Sequence, residues 1–329
     1  MNRKEQRMRR RRRKRLLSVI TVLLALAVIC NIWYFANRPA DAPSSKSQKQ
    51  ASEVHDQKKE KARALKQLDL NPSDFFSDHM IVKNCANGEI LFEKAADEQT
   101  RPASLTKMMT ALVAIEHTTD FQERVTIPHE IYTYLNGSGI AVAGFGDGEN
   151  PTVDDLLYGA LYKSGAECCL TLAQKVAGSE AAFVEMMNEK AGEIGMKNTT
   201  FGNCVGLDNP ACWTTARDLL ILTEYALKNQ HFREIFASYS YPIEPTNQCS
   251  RTRVIRNAAV KRFGSDRAGV FGGKLGNTTQ AQLCLSAIAQ IEGQEYLFIS
   301  THAPRTQLHP NSHVEDARVI YKEIAKQVE

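Results

Sequence analysis

A serine and a lysine three positions apart stand out in Ala103-Ser104-Leu105-Thr106-Lys107. The residues that follow, Met108-Met-Thr-Ala-Leu112, are apolar enough to continue as a buried helix. A serine in the first turn of such a helix has its backbone N–H among the unsatisfied donors of the helix start, where the helix dipole favours negative charge. A spacing of three puts Lys107 one turn along the same face, within reach of the hydroxyl. A lysine withdrawn from water has a lowered pKa and can act as a general base, which would make Ser104 a nucleophile. A capping serine followed by a lysine that snorkels to the surface has the same spacing, and Ser-x-x-Lys is common by chance.

Two further clusters bear on that choice. Tyr162-Lys163-Ser164-Gly165 ends one predicted helix and starts the next, so Ser164 sits at a loop apex 60 residues beyond Ser104. Gly272-Gly273-Lys274-Leu275-Gly276-Asn277-Thr278 opens a strand, with Lys274 110 residues beyond Ser164. Glycines flanking a lysine in an edge strand let a ligand backbone come close. A serine–lysine helix, a loop serine and a Lys-x-Gly strand, in that order, form the three-part set of penicillin-interacting serine enzymes.

The elements that must hold these residues can be read from pattern. His79–Lys83 and Glu89–Glu93 flank Asn87-Gly88, a two-residue hairpin signal. Helices then dominate: one from Ser104, one after the capping box Thr152-Val-Asp-Asp155, one over Glu167–Ala177 ended by Gly178, one from Ser179 to Gly195, and one from Thr215. Gly273–Thr278, Gln282–Ile291 and Tyr296–Thr301 read as consecutive strands, and a last helix covers Val314–Lys326. The pattern predicts one α+β domain over residues 77–329, an antiparallel sheet with a helical lobe.

The net charge of +4 hides an asymmetry. Residues 1–15 hold ten Lys/Arg and one Glu, so the remainder carries −5 (+4 minus +9). A mildly acidic folded part gives no support for nucleic acid as a partner. Residues 16–36 carry no charge, and a helix of that length rises roughly 30 Å, enough to span a bilayer core. The basic tail before it would stay cytoplasmic, and Trp33 and Tyr34 fit the far interface. The expected localisation is the cell membrane, with a single pass and the catalytic domain outside the cytoplasm. A cleaved signal peptide and secretion is the alternative, since Ala36, Ala40 and Ala42 offer small residues for cleavage. Residues 37–76, rich in Lys, Gln, Ser, Ala and Asp, read as a tether. Seven cysteines follow the span, an odd number without a Cys-x-x-Cys pair. They are expected to be small buried hydrophobes, and no metal or cofactor is expected. His309 and His313 are expected to be exposed in a loop rather than to form a metal pair.

The sequence Pro102–Glu116 (PASLTKMMTALVAIE) resembles the nucleophile helix of the serine-type D-alanyl-D-alanine carboxypeptidases, the low-molecular-mass penicillin-binding proteins. Further resemblance lies in Gly148 through Gly165, Ala177–Glu180, Phe183–Asn188, Gly195–Thr199, Gly206-Leu-Asp208, Thr214–Asp218 and His313–Ala317, in the family's order over residues 78–325. The resemblance implies a β-lactamase/penicillin-binding-protein-like fold and an acyl-transfer mechanism on peptidoglycan stem peptides, with β-lactam antibiotics as substrate mimics. It implies Ser104 as nucleophile, Lys107 as its base and Ser164 as proton relay to the leaving D-alanine. Lys274, Gly276, Asn277 and Thr278 would form the substrate-binding strand. The N–H groups of Ser104 and Asn277 would form the oxyanion hole, and Lys274 would attract the substrate carboxylate. Many relatives are anchored by a C-terminal helix after a small β domain; here the N-terminal helix is expected to serve instead.

Two positions depart from the family. Its second motif usually reads Ser-x-Asn, and here Ala166 stands in the asparagine's place. Its third usually reads Lys-Thr-Gly, and here Leu275 replaces the threonine that usually hydrogen-bonds the substrate carboxylate. Glu167 could take part of the asparagine's role, and Thr278, Arg253 or Arg256 that of the threonine. Reduced or altered activity is expected, the alternative being a catalytically impaired relative that binds cell-wall peptide or a partner. A β-lactamase is disfavoured because no Glu-x-x-x-Asn pattern lies between Ser164 and Lys274. A transpeptidase would use the same acyl-enzyme.

Overall fold

The computed structural model describes residues 56–135 and 139–329. The expected membrane span over 16–36 and the N-terminal part of the tether lie outside them. Among the described residues no helix is long and apolar enough to cross a membrane.

Strand periodicity organises the core. Five antiparallel strands, β1 (His79–Asn84), β2 (Ile90–Lys94), β5 (Val270–Thr278), β6 (Gln282–Ile291) and β7 (Gln294–Ala303), form a sheet in the order β2-β1-β7-β6-β5. Successive side chains point to opposite faces. Ile81, Ile288, Leu297 and Ile299 therefore meet the helical lobe, while Met80, Val82, Ala287 and Phe298 meet the C-terminal helix Ser312–Val328. Covering both faces of the sheet gives three layers, with the helix Thr106–Glu116 in the middle of one apolar cluster. A short hairpin of β3 (Ser240–Ile243) and β4 (Arg253–Arg256) stands apart as a second sheet.

Helix boundaries follow local chemistry. Thr152 and Asp155 form a reciprocal capping box at the start of Val153–Lys163. Ala166–Ala177 stops at Gly178 (φ 74°), and Glu180–Ile194 runs from a Ser179 cap to Gly195 (φ 90°). The helix Ala216–Ala226 starts at a Thr215 cap on the Asp218 N–H.

Four expectations need correction. The first hairpin is not closed by a two-residue turn. β1 continues to Asn84, whose buried side-chain amide donates to the Ala62 and Leu65 carbonyls, and the Gly88 N–H bonds the Asn84 carbonyl. Only Gly88 has positive φ there, whereas a tight type I′ turn needs two such residues. The folded unit also begins before residue 77: residues 56–64 are helical, Ala62, Leu68 and Phe75 are buried, and the Leu68 N–H bonds the Leu91 carbonyl. Ser104 precedes the α-helix rather than opening it, in a 3₁₀ turn, Ala103–Leu105, ahead of Thr106–Glu116. Finally, His313 is buried in the first turn of the last helix, where burial lowers its pKa to about 3; its neighbour His309 bonds Glu315 at 2.7 Å.

Candidate active site

Ser104 owes its position to a turn that cannot slide. The Leu105 N–H bonds the Pro102 carbonyl at 3.0 Å, Ala103 takes φ 46°, and ten of the eleven residues of Thr106–Glu116 are buried behind it. Lys107 lies on that buried helix and is 1% exposed. Its Nζ is 3.2 Å from Ser104 Oγ and donates to the Val205 carbonyl. Burial holds the ammonium pKa below the usual lysine range, with weaker opposition from nearby thiols and Glu167. A neutral amine that spends one N–H on a carbonyl still has a lone pair for the serine proton.

A second serine–lysine pair closes the site. Ser164 caps Val153–Lys163 in the left-handed region (φ 58°, ψ 31°). The next residue must be glycine, because a Cβ at 165 would lie 2.8 Å from Ala143 Cβ and 2.9 Å from Cys168 Sγ. Lys274, on β5 opposite Ser286, donates to Ser164 Oγ and to the Leu275 carbonyl at 2.7 Å. Burial first, then the Lys107 charge, holds the Lys274 pKa far below its ordinary value. Gly276 lets β5 skim the turn that carries Ser104, since a Cβ there would stand 3.0 Å from Ala103 Cβ. Ser104, Lys107, Ser164, Leu275, Asn277 and Thr278 line one cleft of about 590 Å³.

The residues considered as stand-ins for the altered motifs are engaged elsewhere. Ala166 is fully buried. Glu167 makes no hydrogen bond to Lys107; its Oε1 accepts from the Ala143 and Gly144 N–H groups at 2.6 and 2.9 Å. Burial raises its carboxyl pKa, against the opposite pull of those amides. Thr278 Oγ1 donates to Asp208 Oδ1 at 2.6 Å and accepts from the Ala281 N–H at 3.0 Å. Arg253 pairs with Glu149, donates to the Gly144 carbonyl at 2.9 Å and lies over the Phe145 ring, while Arg256 is exposed on β4. Among the described residues no group of His, Cys, Asp or Glu is arranged to hold a metal ion.

The loop that partners Lys107 entered the sequence reading only as the resemblance at Gly206-Leu-Asp208, without its contact to the lysine. Asn203 Oδ1 accepts from the N–H groups of Val205, Gly206 and Leu207 at 3.2, 2.6 and 3.1 Å, which aims the Val205 carbonyl at the lysine. Gly206 has φ 75°, and a Cβ there would fall 1.9 Å from the Ala103 carbonyl oxygen. Asn203 followed by Gly206 is a turn signal that could have marked the loop, but nothing local shows that its carbonyl meets Lys107. All seven cysteines among the described residues are unbridged. Five are buried, Cys85 is exposed and Cys249 is half-buried.

Known proteins share the sequence pattern and the fold. The sequence profile of the D-alanyl-D-alanine carboxypeptidases matches residues 66–302. The D-alanyl-D-alanine carboxypeptidase DacF of Bacillus subtilis is 30% identical over 203 residues, 62% of this chain and 51% of its own length. The chain spans about half the length of the first curated relatives it matches. Among solved structures, the Streptomyces DD-transpeptidase superposes with a TM-score of 0.68 at 26% identity, covering 77% of this chain and 97% of that one. A D-alanyl-D-alanine carboxypeptidase of Mycobacterium tuberculosis gives 0.66 at 25% identity, over 76% and 91%.

Proposed function

Because the chain belongs to the D-alanyl-D-alanine carboxypeptidase family, we propose that it removes the terminal D-alanine of peptidoglycan stem peptides through an acyl-enzyme on Ser104. The observation that carries this reading is the buried Lys107 amine 3.2 Å from Ser104 Oγ, in a cleft shared with Ser164. Ser104 Oγ attacks the carbonyl between the two D-alanines as its proton passes to Lys107 Nζ. The N–H groups of Ser104 and Asn277 stabilise the oxyanion. Ser164, held by Lys274, relays a proton to the departing amine, the C–N bond breaks, and D-alanine leaves. Water then attacks the ester, returning the acid and the Ser104 hydroxyl. A carboxylate arriving near Lys274 favours its charged form and offsets the burial that lowers its pKa. β-Lactams acylate Ser104 in the same way.

A second reading, a relative that binds cell-wall peptide with little turnover, draws on Ala166 and Leu275. Intact mass of the full-length protein after exposure to a penicillin separates the two, with Ser104→Ala alongside. A Ser104-dependent adduct supports the enzyme. No adduct on folded protein at high drug and long times sinks it.

Residues 16–36 are proposed to hold the protein in the membrane with residues 1–15 inside the cell. Extraction by alkaline carbonate, which leaves spanning proteins in the pellet, would speak against the anchor.

A further inference from the structure

The cleft contains a carboxylate to which neither the motifs nor the reaction above assigns a role. Asp208 lines it beside Leu207 and Thr279. Asp208 accepts one bond from the last residue of β5 and one from the turn that follows it: Oδ1 from Thr278 Oγ1 at 2.6 Å, Oδ2 from the Gln280 N–H at 3.1 Å. The Thr278 hydroxyl in turn accepts the Ala281 N–H at 3.0 Å, so the turn between β5 and β6 is closed on itself and attached to Asp208. An O–H···O⁻ bond of that length is charge-assisted and strong.

The other end of the loop is tied to the nucleophile. Asn203 fixes the backbone of Val205–Leu207 through three accepted N–H bonds and one donated bond to the Leu207 carbonyl. The Val205 carbonyl takes Lys107, and Gly206 packs directly under Ala103. One short loop thus joins the Ser104–Lys107 turn to the end of β5, where Asn277 precedes Thr278.

We infer that Asp208 is a positioning residue: through Thr278 it fixes the Asn277 N–H relative to Ser104 Oγ, and so sets the geometry of the oxyanion hole. The inference rests on the acyl-enzyme reading above. It reassigns Thr278 from a substrate contact to a member of this clasp, because its hydroxyl proton is directed at Asp208. Asp208 is not itself catalytic, since its oxygens meet Thr278 and Gln280 rather than Ser104 or Lys107.

The test is acylation of the full-length protein by a chromogenic penicillin under saturation, which separates the dissociation constant of the non-covalent complex from the acylation rate constant. Misplacing a catalytic donor costs up to about a hundredfold in rate. Asp208→Asn and Thr278→Val are each expected to lower the acylation constant roughly ten- to a hundredfold, with the dissociation constant within about threefold of the parent. Thr278→Ser, which keeps the hydroxyl, stays within about threefold in both, and Asp208→Asn/Thr278→Val is no slower than the worse single variant. A role confined to stability would lower the melting temperature without this split or the rescue by serine. Parental acylation in Asp208→Asn, or a loss confined to the dissociation constant, overturns the inference and leaves the enzyme reading intact. A parent protein that forms no adduct refutes both.

Discussion

Leu275→Thr is the substitution that asks whether the altered third motif limits turnover. Leu275 lines the cleft and also packs, half-buried, against the cluster formed by the sheet and the C-terminal helix. The change therefore has two opposed effects. A new hydroxyl donor to a substrate carboxylate contributes about 1.5–3 kcal/mol. At about 1.4 kcal/mol per tenfold, that is one to two orders of magnitude in kcat/KM. Complete truncation of a fully buried leucine costs about 2–5 kcal/mol, and this smaller change at a half-buried site should cost about 1–2 kcal/mol. In a domain of this size each kcal/mol lowers Tm by about 2–4 °C. The expected variant is thus faster and less stable: release of D-alanine from a pentapeptide rises about 10- to 100-fold, while Tm falls by roughly 2–8 °C. Release would be followed with a D-amino-acid oxidase coupled assay and melting by circular dichroism, with penicillin acylation as the control for an intact nucleophile. A variant that acylates normally and melts as expected, yet releases D-alanine no faster, would show that no carboxylate comes within reach of position 275.

Other parts of the site make separate predictions. Lys107 must be neutral to accept the Ser104 proton, and burial depresses its pKa; acylation should rise with pH through that lowered pKa and be lost below it, and Lys107→Ala should flatten the profile at a rate about 10²–10⁴-fold lower. Stopped-flow acylation across pH checks both. Lys274 is 2% exposed, and burial depresses its pKa too, so the unfolded chain binds a proton that the folded chain gives up; its burial therefore opposes folding most below the depressed pKa and ceases to do so as pH rises to the unfolded value. Lys274→Met should raise Tm by a few degrees, by about 0.5–2 kcal/mol of stability, while abolishing D-alanine release; a lower Tm would mean that the Ser164 bond outweighs desolvation. Gly206→Ala places a Cβ 1.9 Å from the Ala103 carbonyl at φ 75°; a loss of about 2–3 kcal/mol is expected in urea melts, with slower acylation.

How much was legible in the sequence depends on how local each determinant is. Ser104 and Lys107 are bound by helical spacing, so their pairing could be read from the chain. Thr152, Ser179 and Thr215 mark helix starts because a cap satisfies its own backbone within three residues. The same rule was available at Asn229, whose side chain accepts the Phe232 N–H at 3.1 Å, but the helix Gln230–Phe236 that it starts went unread. β3 was unreadable for another reason: Pro242 sits within it, and a proline argues against a strand except at an edge, where this small two-stranded sheet keeps it. His313 was misread because Pro310 and Asn311 look like loop, yet Asn311 precedes a helix whose first turn is packed inside. The partners of Lys107 and Thr278 lie beyond any local rule. Val205 is 98 positions from Lys107 and contributes a backbone carbonyl, which carries no residue-type signal; Asp208 is 70 positions from Thr278.

The two departures from the family's motifs differ in their consequences for the proposed chemistry. At position 166 the site has an internal substitute. A lysine base needs a partner that orients its amine without holding it charged. The neutral Val205 carbonyl can do that, whereas a carboxylate hydrogen-bonded to Lys107 would favour the ammonium. Glu167 is kept from that role by the Ala143 and Gly144 amides, which hold its Oε1. Its charge then acts on Lys107 only at a distance, where it ranks below burial and two thiols among the influences on that lysine. Among the described residues no such substitute stands at 275. Thr278 is committed to Asp208 and Arg253 to Glu149, so the substrate carboxylate would rely on the Lys274 charge. A point charge attracts without fixing orientation, while a hydroxyl beside it adds direction. The expected result is a nucleophile that acylates readily and a leaving group that is loosely oriented, which places the deficit in turnover of peptides rather than in reaction with penicillins.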